Sequence, residues 1–469
     1  PIQPADSTAL EKPSAPSKTL EQLKNLVRIF IKIPFLDYDN INFTFTQTNT
    51  VGNSGVVGST GFVNFWRPFQ PSDIKYGPSR LYQLGLISDP SGHLGKFGTR
   101  STFPFFGWGE TEPGLRAPLG AGLQNTFRQQ NRIAVKTSRN LWEGARIDFN
   151  WNVGWAYSRT QNVNTDSVGV PTILNSASQG NLERSFLSFP DVLFLGIFKS
   201  SLKDVSKRYT ELKNNGDSTV SQDEKMAQAF EEGFEALPFF RKVFGQYWPR
   251  INWSLRWDGL ERIPLFAGFA SRVSLEHSYA ATYSRQYENR PAGLGQPGVE
   301  RTTGQRNSYG FTPLVGMNFT FKELLKGSFG SVLRYNSSTS YDLATSSKNI
   351  VEQLSREISI TLNYSRRGFE IPFFGLSLNN DLDLSASYSL TKNSRKTYDV
   401  TTLDVNTNGT PLEGSTRTVI EPRIKYVLSS RVTASIYYRY TKIAPDDSGS
   451  RIPGSTVNEA GLDIHIAIQ

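Results

Sequence analysis

Few residues in this chain have the type and spacing that could do chemistry. Its three histidines, His93, His277 and His465, lie far apart. None has a partner at metal-ligand spacing, so no zinc or iron site is expected. Cysteine is absent, which removes disulfides, cysteine-based zinc sites, thiol catalysis and a lipoprotein anchor together. His277 and His465 fall on predicted strands, where a serine–histidine hydrolase could place its base. Serine is so frequent here that a Ser near either one carries no information. Gly293-Leu-Gly295-Gln-Pro-Gly298 matches a dinucleotide-binding fingerprint in letters only. Pro297 and the polar tract after it open no helix, no βαβ unit surrounds it, and the run reads as a loop. The acid pairs Asp381/Asp383 and Asp446/Asp447 lie on a polar strand face and in a loop, where solvation accounts for them. The chain is read as a non-enzyme, with no catalytic, cofactor-binding or metal residue.

One charged set has a different meaning. Arg417, Arg423, Lys425, Arg431 and Arg439 fall on neighbouring predicted strands, opposite the aliphatic residues, and Asp381, Asp383 and Asp463 also stand opposite aliphatics. A Lys or Arg turned to lipid at the bilayer midplane costs about 2–4 kcal/mol. In a membrane barrel these groups must therefore face an aqueous lumen. Soluble lining of that lumen is the simpler expectation, ahead of specific ligand binding.

The elements that carry these residues are strands. Ile41, Phe43 and Phe45 alternate with Asn42, Thr44 and Thr46, and Ile147, Phe149, Trp151, Val153, Trp155 and Tyr157 make a longer run of period 2. The pattern returns at Ile251–Trp257, Val273–Tyr283, Val315–Phe321, Ile358–Tyr364, Leu382–Leu390, Ile420–Leu428, Val432–Tyr440 and Leu462–Ile468. About fourteen strands are expected, many of about 9–12 residues; a tilted membrane strand needs about 9–11, whereas soluble strands average about 5–6. Leu26–Phe35 and Phe186–Phe198 are the longest apolar stretches, and both are too short and too interrupted to span a bilayer as helices.

Composition agrees with strands that face lipid on one side and water on the other. Charged residues are 20% of the 469, below the usual ~25%, and aromatics are 12%, too many for a disordered chain. Mean hydropathy is −0.40. The net charge of +9 is not gathered into a Lys/Arg run, so no nucleic-acid partner is expected. Lack of cysteine is common in proteins that cross an oxidising periplasm. The chain opens at Pro1 without a signal sequence and is read as a mature or truncated piece. Residues 1–40 read as a Pro/Ser-rich linker and entering segment, and 41–469 as a barrel segment with a loop and helical insertion at 199–248. In that insertion Ser221-Gln-Asp-Glu224 fits a capping box, with Ser221 as N-cap and Glu224 returning to its backbone N–H. Met226, Ala229, Phe230, Gly233 and Leu237 share one helix face until Pro238. Such a helix folds on a barrel rim or into its mouth. A surface helix with no plugging role is the simpler of the two.

Several segments resemble a known family. Arg250-Ile-Asn-Trp-Ser-Leu-Arg-Trp-Asp-Gly-Leu260 with Ile263-Pro-Leu-Phe266 is similar to a motif of the SprA/Sov family, the outer-membrane translocons of the type 9 secretion system in Bacteroidetes. Asn140–Asp148, Ser274–Tyr279, Gly310–Phe321, Asn336–Leu343, Leu354–Ile358 and Leu378–Leu382 continue the resemblance in order. It implies an all-β fold: an antiparallel transmembrane β-barrel, of which this chain is a C-terminal arc with a short helical insertion. Family barrels have about 36 strands. The resemblance further implies passage of folded client proteins, gliding adhesins among them, and a lateral exit. Implied partners are outer-membrane lipid, the clients, an outer-membrane shuttle protein and a periplasmic plug protein. Family chains are several times longer, about fourteen strands cannot close so wide a ring, and Gln469 is not the aromatic residue that usually ends bacterial barrels. The chain is thus expected to be a fragment, or a short relative that closes alone. Two other functions fit the strand pattern: a self-contained porin for small solutes, and a β-rich surface or adhesive protein.

Overall fold

The computed structural model describes residues 40–55, 116–188, 202–215, 219–235, 250–290, 299–323, 325–370, 379–400, 409–429, 431–446 and 452–467. The run at 293–298, His93, residues 1–39 and Leu237–Pro238 lie outside them. The described chain is one antiparallel sheet of thirteen strands. In order these are β1 (Asn40–Asn53), β2 (Leu123–Trp142), β3 (Ala145–Thr165), β4 (Pro171–Ser185), β5 (Asn252–Asp258), β6 (Ala270–Arg290), β7 (Val299–Phe321), β8 (Ser328–Ala344), β9 (Asn349–Glu370), β10 (Asn379–Asp399), β11 (Thr410–Ser429), β12 (Val432–Pro445) and β13 (Ser455–Ile466). Among the described residues three α-helices interrupt them: α1 (Leu202–Asn215) and α2 (Gln222–Phe234) between β4 and β5, and the single turn α3 (Pro264–Ala267) before β6, preceded by a 3-10 turn at Leu260–Arg262.

Each strand pairs with the next in sequence, with one exception. β4 and β5 share a single position between β3 and β6. β4 covers Val153–Thr165 of β3, and β5 covers Ala145–Asn150 of the same strand. The chain therefore leaves the sheet after Ser185, in the middle of a strand position, and rejoins it at Asn252. The neck is closed by hydrogen bonds: the Arg250 N–H donates to the Ser185 carbonyl at 2.8 Å, and the Ser185 hydroxyl donates to the Arg250 carbonyl at 2.5 Å. The neighbouring strands keep their ladder because side chains replace missing backbone. Asn252 Oδ1 accepts the Ala281 N–H at 3.0 Å, and Ser185 Oγ accepts the Asn152 N–H at 3.1 Å. Left unpaired, each buried N–H would cost about 1–3 kcal/mol.

The strands are longer than the sequence pattern predicts. β9 has 22 residues and β7 has 23, where about 9–12 were expected. Apolar alternation marks only the half of each strand that carries aliphatic residues. The rest, such as residues 392–397 of β10, is polar on both faces and shows no period. At about 3.4 Å per residue a strand such as β9 is about two and a half times as long as the ~30 Å hydrocarbon core of a bilayer is thick.

The β2–β3, β7–β8, β9–β10 and β11–β12 connections lie at one end of the sheet, the near end; the β3–β4, β6–β7, β8–β9, β10–β11 and β12–β13 connections lie at the far end. In the near-end turn between β2 and β3, Gly144 has φ 77°, and a Cβ there would collide with the carbonyl oxygen of Asp258. Only glycine fits this turn. No helix among the described residues is long and apolar enough to cross a membrane.

Candidate functional site: a two-faced wall and its helical dock

Register divides the sheet into two unlike faces. One face carries Ile41, Phe43 and Phe45 on β1, opposite Thr137, Val135 and Ile133 of β2, which leads to Trp151 and Val153 of β3. On the C-terminal strands the same face carries the row Leu333–Ile360–Tyr388–Ile420 and the row Leu384–Ile424–Ile436–Leu462. Apart from the buried Thr137 and Val153, these side chains are apolar yet not buried: Phe43 is 66% exposed, Ile424 51%, Leu462 61% and, on the same face, Ile464 58%. At the near end the band is bordered by rings. Trp142 meets Trp257 edge-on at 5.1 Å, and Phe266, Phe269, Phe319, Phe321 and Phe329 form a chain of contacts of 4.8–6.1 Å.

The band does not run perpendicular to the strands. Phe45, at its far edge on β1, is followed across the ladders by Ile133, Val153, Arg184, Tyr283, Asn307, Tyr341, Glu352, Lys396 and finally Pro411 on β11. The far edge of the band on β11 is Ile420, nine positions nearer the near end, after nine strand-to-strand steps. A shift of one residue per strand is the stagger of a barrel wall whose shear equals its strand number, which corresponds to strands tilted about 36°.

The opposite face is polar. Arg417, Arg423, Lys425 and Arg439 are there, with Asp383 and Asp463. Arg423 and Arg439 share Glu421, at 3.1 and 2.7 Å, and Arg439 reaches Glu459 at 3.5 Å. Lys425 stands across from Asp383 at 3.9 Å. These pairs are solvent-accessible, and each adds only about 0–1 kcal/mol; what matters is that the charges of this set sit on the side opposite the apolar rows. Arg431 lies instead in the turn before β12, its N–H donating to Ser429 Oγ at 3.2 Å. Asp381 sits where the β9–β10 register shifts, between Asn380 and Leu382. Of the histidines, His277 is fixed on the apolar side: Nε2 accepts from Trp253 Nε1 at 3.2 Å, and Nδ1 is 2.7 Å from the Leu314 carbonyl. His465 is opposite Thr433 on the polar face. No group of metal-ligating side chains occurs among the described residues.

The helical insertion docks on the apolar side, on the far-end half of the wall. Met226, Phe230 and Phe234 of α2 pack with Val205 of α1 against Tyr279, Tyr283, Phe311, Tyr341 and Ile350 of the sheet. Gly233 lets the helices touch, since a Cβ there would enter the Val205 backbone. The dock is also ionic, with all four acids on or beside α2, three of the bases on wall strands and the fourth, Arg250, at the neck. Arg184 pairs with Glu231 at 2.8 Å with both side chains buried, and Arg285 pairs with Glu224 at 2.9 Å. Arg301 pairs with Asp223 at 2.8 Å, and Arg250 Nε donates to Glu235 at 2.8 Å. Tyr283 donates to Glu231, and the Arg184 guanidinium lies 4.9 and 5.2 Å from the Phe186 and Tyr283 rings.

Two sequence expectations change here. Ser221 is the N-cap and accepts the Glu224 N–H at 3.2 Å, but Glu224 does not return to the cap. Its carboxylate is taken by Arg285 and by the Thr302 hydroxyl, because a charged partner on the wall outcompetes a neutral backbone N–H. A second helix, α1, precedes the expected one; Leu202, Val205, Tyr209 and Leu212 already carry its period. Of the wall arginines, Arg285 leaves a sequence signal, since it interrupts the face of Tyr279, Ala281, Tyr283 and Tyr287; Arg184, on a face with Ser176, Ser178 and Gly180, leaves none.

No protein-family model matches the chain, and no curated protein matches it in sequence. Among solved structures, it overlaps the beta domain of the Bordetella autotransporter BrkA at 9% identity and a TM-score of 0.21, covering 73% of this chain and 92% of that one. It overlaps OmpT, an outer membrane protein of Vibrio cholerae, at 10% identity and a TM-score of 0.19, covering 74% and 98%. Scores this low do not amount to a shared overall fold.

Proposed function

We propose that this chain is a wall segment of an outer-membrane β-barrel, and that the barrel is a protein-conducting channel of the type 9 secretion kind. The observation that carries the membrane reading is the tilted apolar band opposite a predominantly polar and charged face. A soluble sheet would cover such a band with another layer; here aliphatic side chains on β1 and on β11 to β13 stay open on the side where lipid would lie. The polar face then lines water. α1 and α2, docked on the apolar side beyond the band, stand outside that lumen and do not plug it.

The export reading rests on the ordered resemblance to the translocon family and on the open sheet. Among the described residues β1 and β13 each have one partner strand. Such free edges are costly in lipid, where every backbone group needs a partner, and this favours an arc continued by further strands over a self-contained porin. Folded clients, gliding adhesins among them, would cross the lumen to the cell surface, with shuttle and plug proteins gating it; the wall itself does no catalysis.

Immunoblotting of detergent-solubilised outer membranes with an antibody against residues 376–469 tests this. A band far above 52.5 kDa is expected. A band at that mass, together with discrete small conductances in planar bilayers, would replace the export channel with a porin. Release from membranes by carbonate without detergent would remove the barrel reading altogether.

A further inference from the structure

The polar face holds a feature that solvation of a lumen does not require. On the far-end half of β8, β9 and β10, Ser340, Gln353 and Arg395 lie side by side in one row of register, and Ser338, Ser355 and Asn393 in the next. Serine side chains are short, so the rows leave a trench of about 460 Å³ across the strands, within the ~300–1,000 Å³ range of ligand sites. Arg306 and Arg395 stand on its walls, with Glu413 beside Arg395 in register. Arg306 has one loose partner, Asp342 at 3.6 Å. Arg395 has no carboxylate within ion-pair distance among the described residues, not even Glu413.

The lining narrows the ligand. No aromatic ring borders the trench, so it offers no platform for the apolar face of a sugar. It offers hydroxyls and amides that both donate and accept, the complement of peptide groups, beside guanidinium forks suited to carboxylate. We propose that this trench binds an extended peptide segment, its backbone held by Ser338, Ser340, Ser355 and Gln353 and one acidic side chain received by Arg395 and Arg306. The inference deepens the export reading and rests on it for the meaning of the peptide as passing cargo; binding itself is a property of the chain alone.

The test uses the full chain in detergent and a fluorescein-labelled heptapeptide, Gly-Ser-Asp-Ser-Asp-Gly-Ser, followed by fluorescence anisotropy. Saturable binding is expected, weakened at least fivefold by Arg395→Ala and equally by Asn in place of Asp in the probe. Ser338→Leu, which fills the trench without touching a charge, should abolish it. If Arg395→Ala loses its heat-modifiable folded band, Arg395→Gln and Ser338→Leu carry the test. The proposal is overturned if the probe does not saturate, if the Asn probe binds as well, or if digalacturonic acid binds and the peptide does not. Failure here leaves the immunoblot result untouched, and an immunoblot failure leaves the trench standing as a peptide site.

Discussion

Ile424 and Arg423 are neighbours in sequence and opposites in environment, and that contrast can be measured. Ile424 lies in the apolar band between Leu384 and Ile436, 51% exposed, whereas Arg423 is on the polar face. If the exposed side meets hydrocarbon, Ile424→Lys must hold a cation in lipid, at about 2–4 kcal/mol. That lowers the folded-to-unfolded ratio in vesicles roughly 30- to 700-fold. If the same side meets water, the change is a surface substitution at a half-exposed position, within about ±0.5 kcal/mol, or about twofold. Ser387→Lys, on the polar face opposite Glu421, is the control and should be near neutral under either reading. Urea titration of the chain folded into lipid vesicles, read by heat-modifiable gel mobility, measures both. Ile424→Lys that unfolds at the wild-type urea concentration would refute the assignment of the faces.

The other predictions concern the dock, the neck and one turn. Glu231→Gln leaves the buried Arg184 cation without its counter-charge, which costs about 3–5 kcal/mol, and should raise the rate of limited proteolysis within residues 186–249 by about a hundredfold or more; the double change Arg184→Met, Glu231→Leu should recover most of the protection. Asn252→Ala orphans the Ala281 N–H at the strand break and should lower stability by about 1–3 kcal/mol, while Asn252→Asp, which keeps that acceptor, should lose less; equal losses for the two would sink this account of the neck. Asp166, in the β3–β4 turn, accepts the N–H groups of Val170 and Val168 at 2.8 and 2.9 Å, and these bonds hold its carboxyl below the usual carboxylate range. A depressed folded value means that its stabilisation is complete above the ordinary carboxylate pKa, near 3.9, and is lost as pH falls through the lower folded value. Amide exchange at Val168 and Val170 should therefore stay protected down to that lower pH, and Asp166→Ala should expose both amides at neutral pH.

Much of the wall is legible in the order of residues, because a strand's two faces are set by period 2 and need no knowledge of its neighbours. Ile420, Ile424 and Tyr426 opposite Arg423 and Lys425 separate the two environments before any pairing is known. The Ser221 cap is local in the same sense. What only the tertiary structure decided depends on register between segments distant in sequence. The tilt of the band appears only after nine ladders are followed from Phe45 to Pro411. The shared position of β4 and β5 exists because Ser185 and Arg250 meet across the insertion, and the acids of α2 find their arginines on β4, β6, β7 and the neck. The trench is of this kind too: Ser338, Ser355 and Asn393 are unremarkable in their own strands and become a surface only side by side. Periodicity is a property of one strand, whereas a stagger, a dock or a groove is a relation among several, and pairing alone sets it.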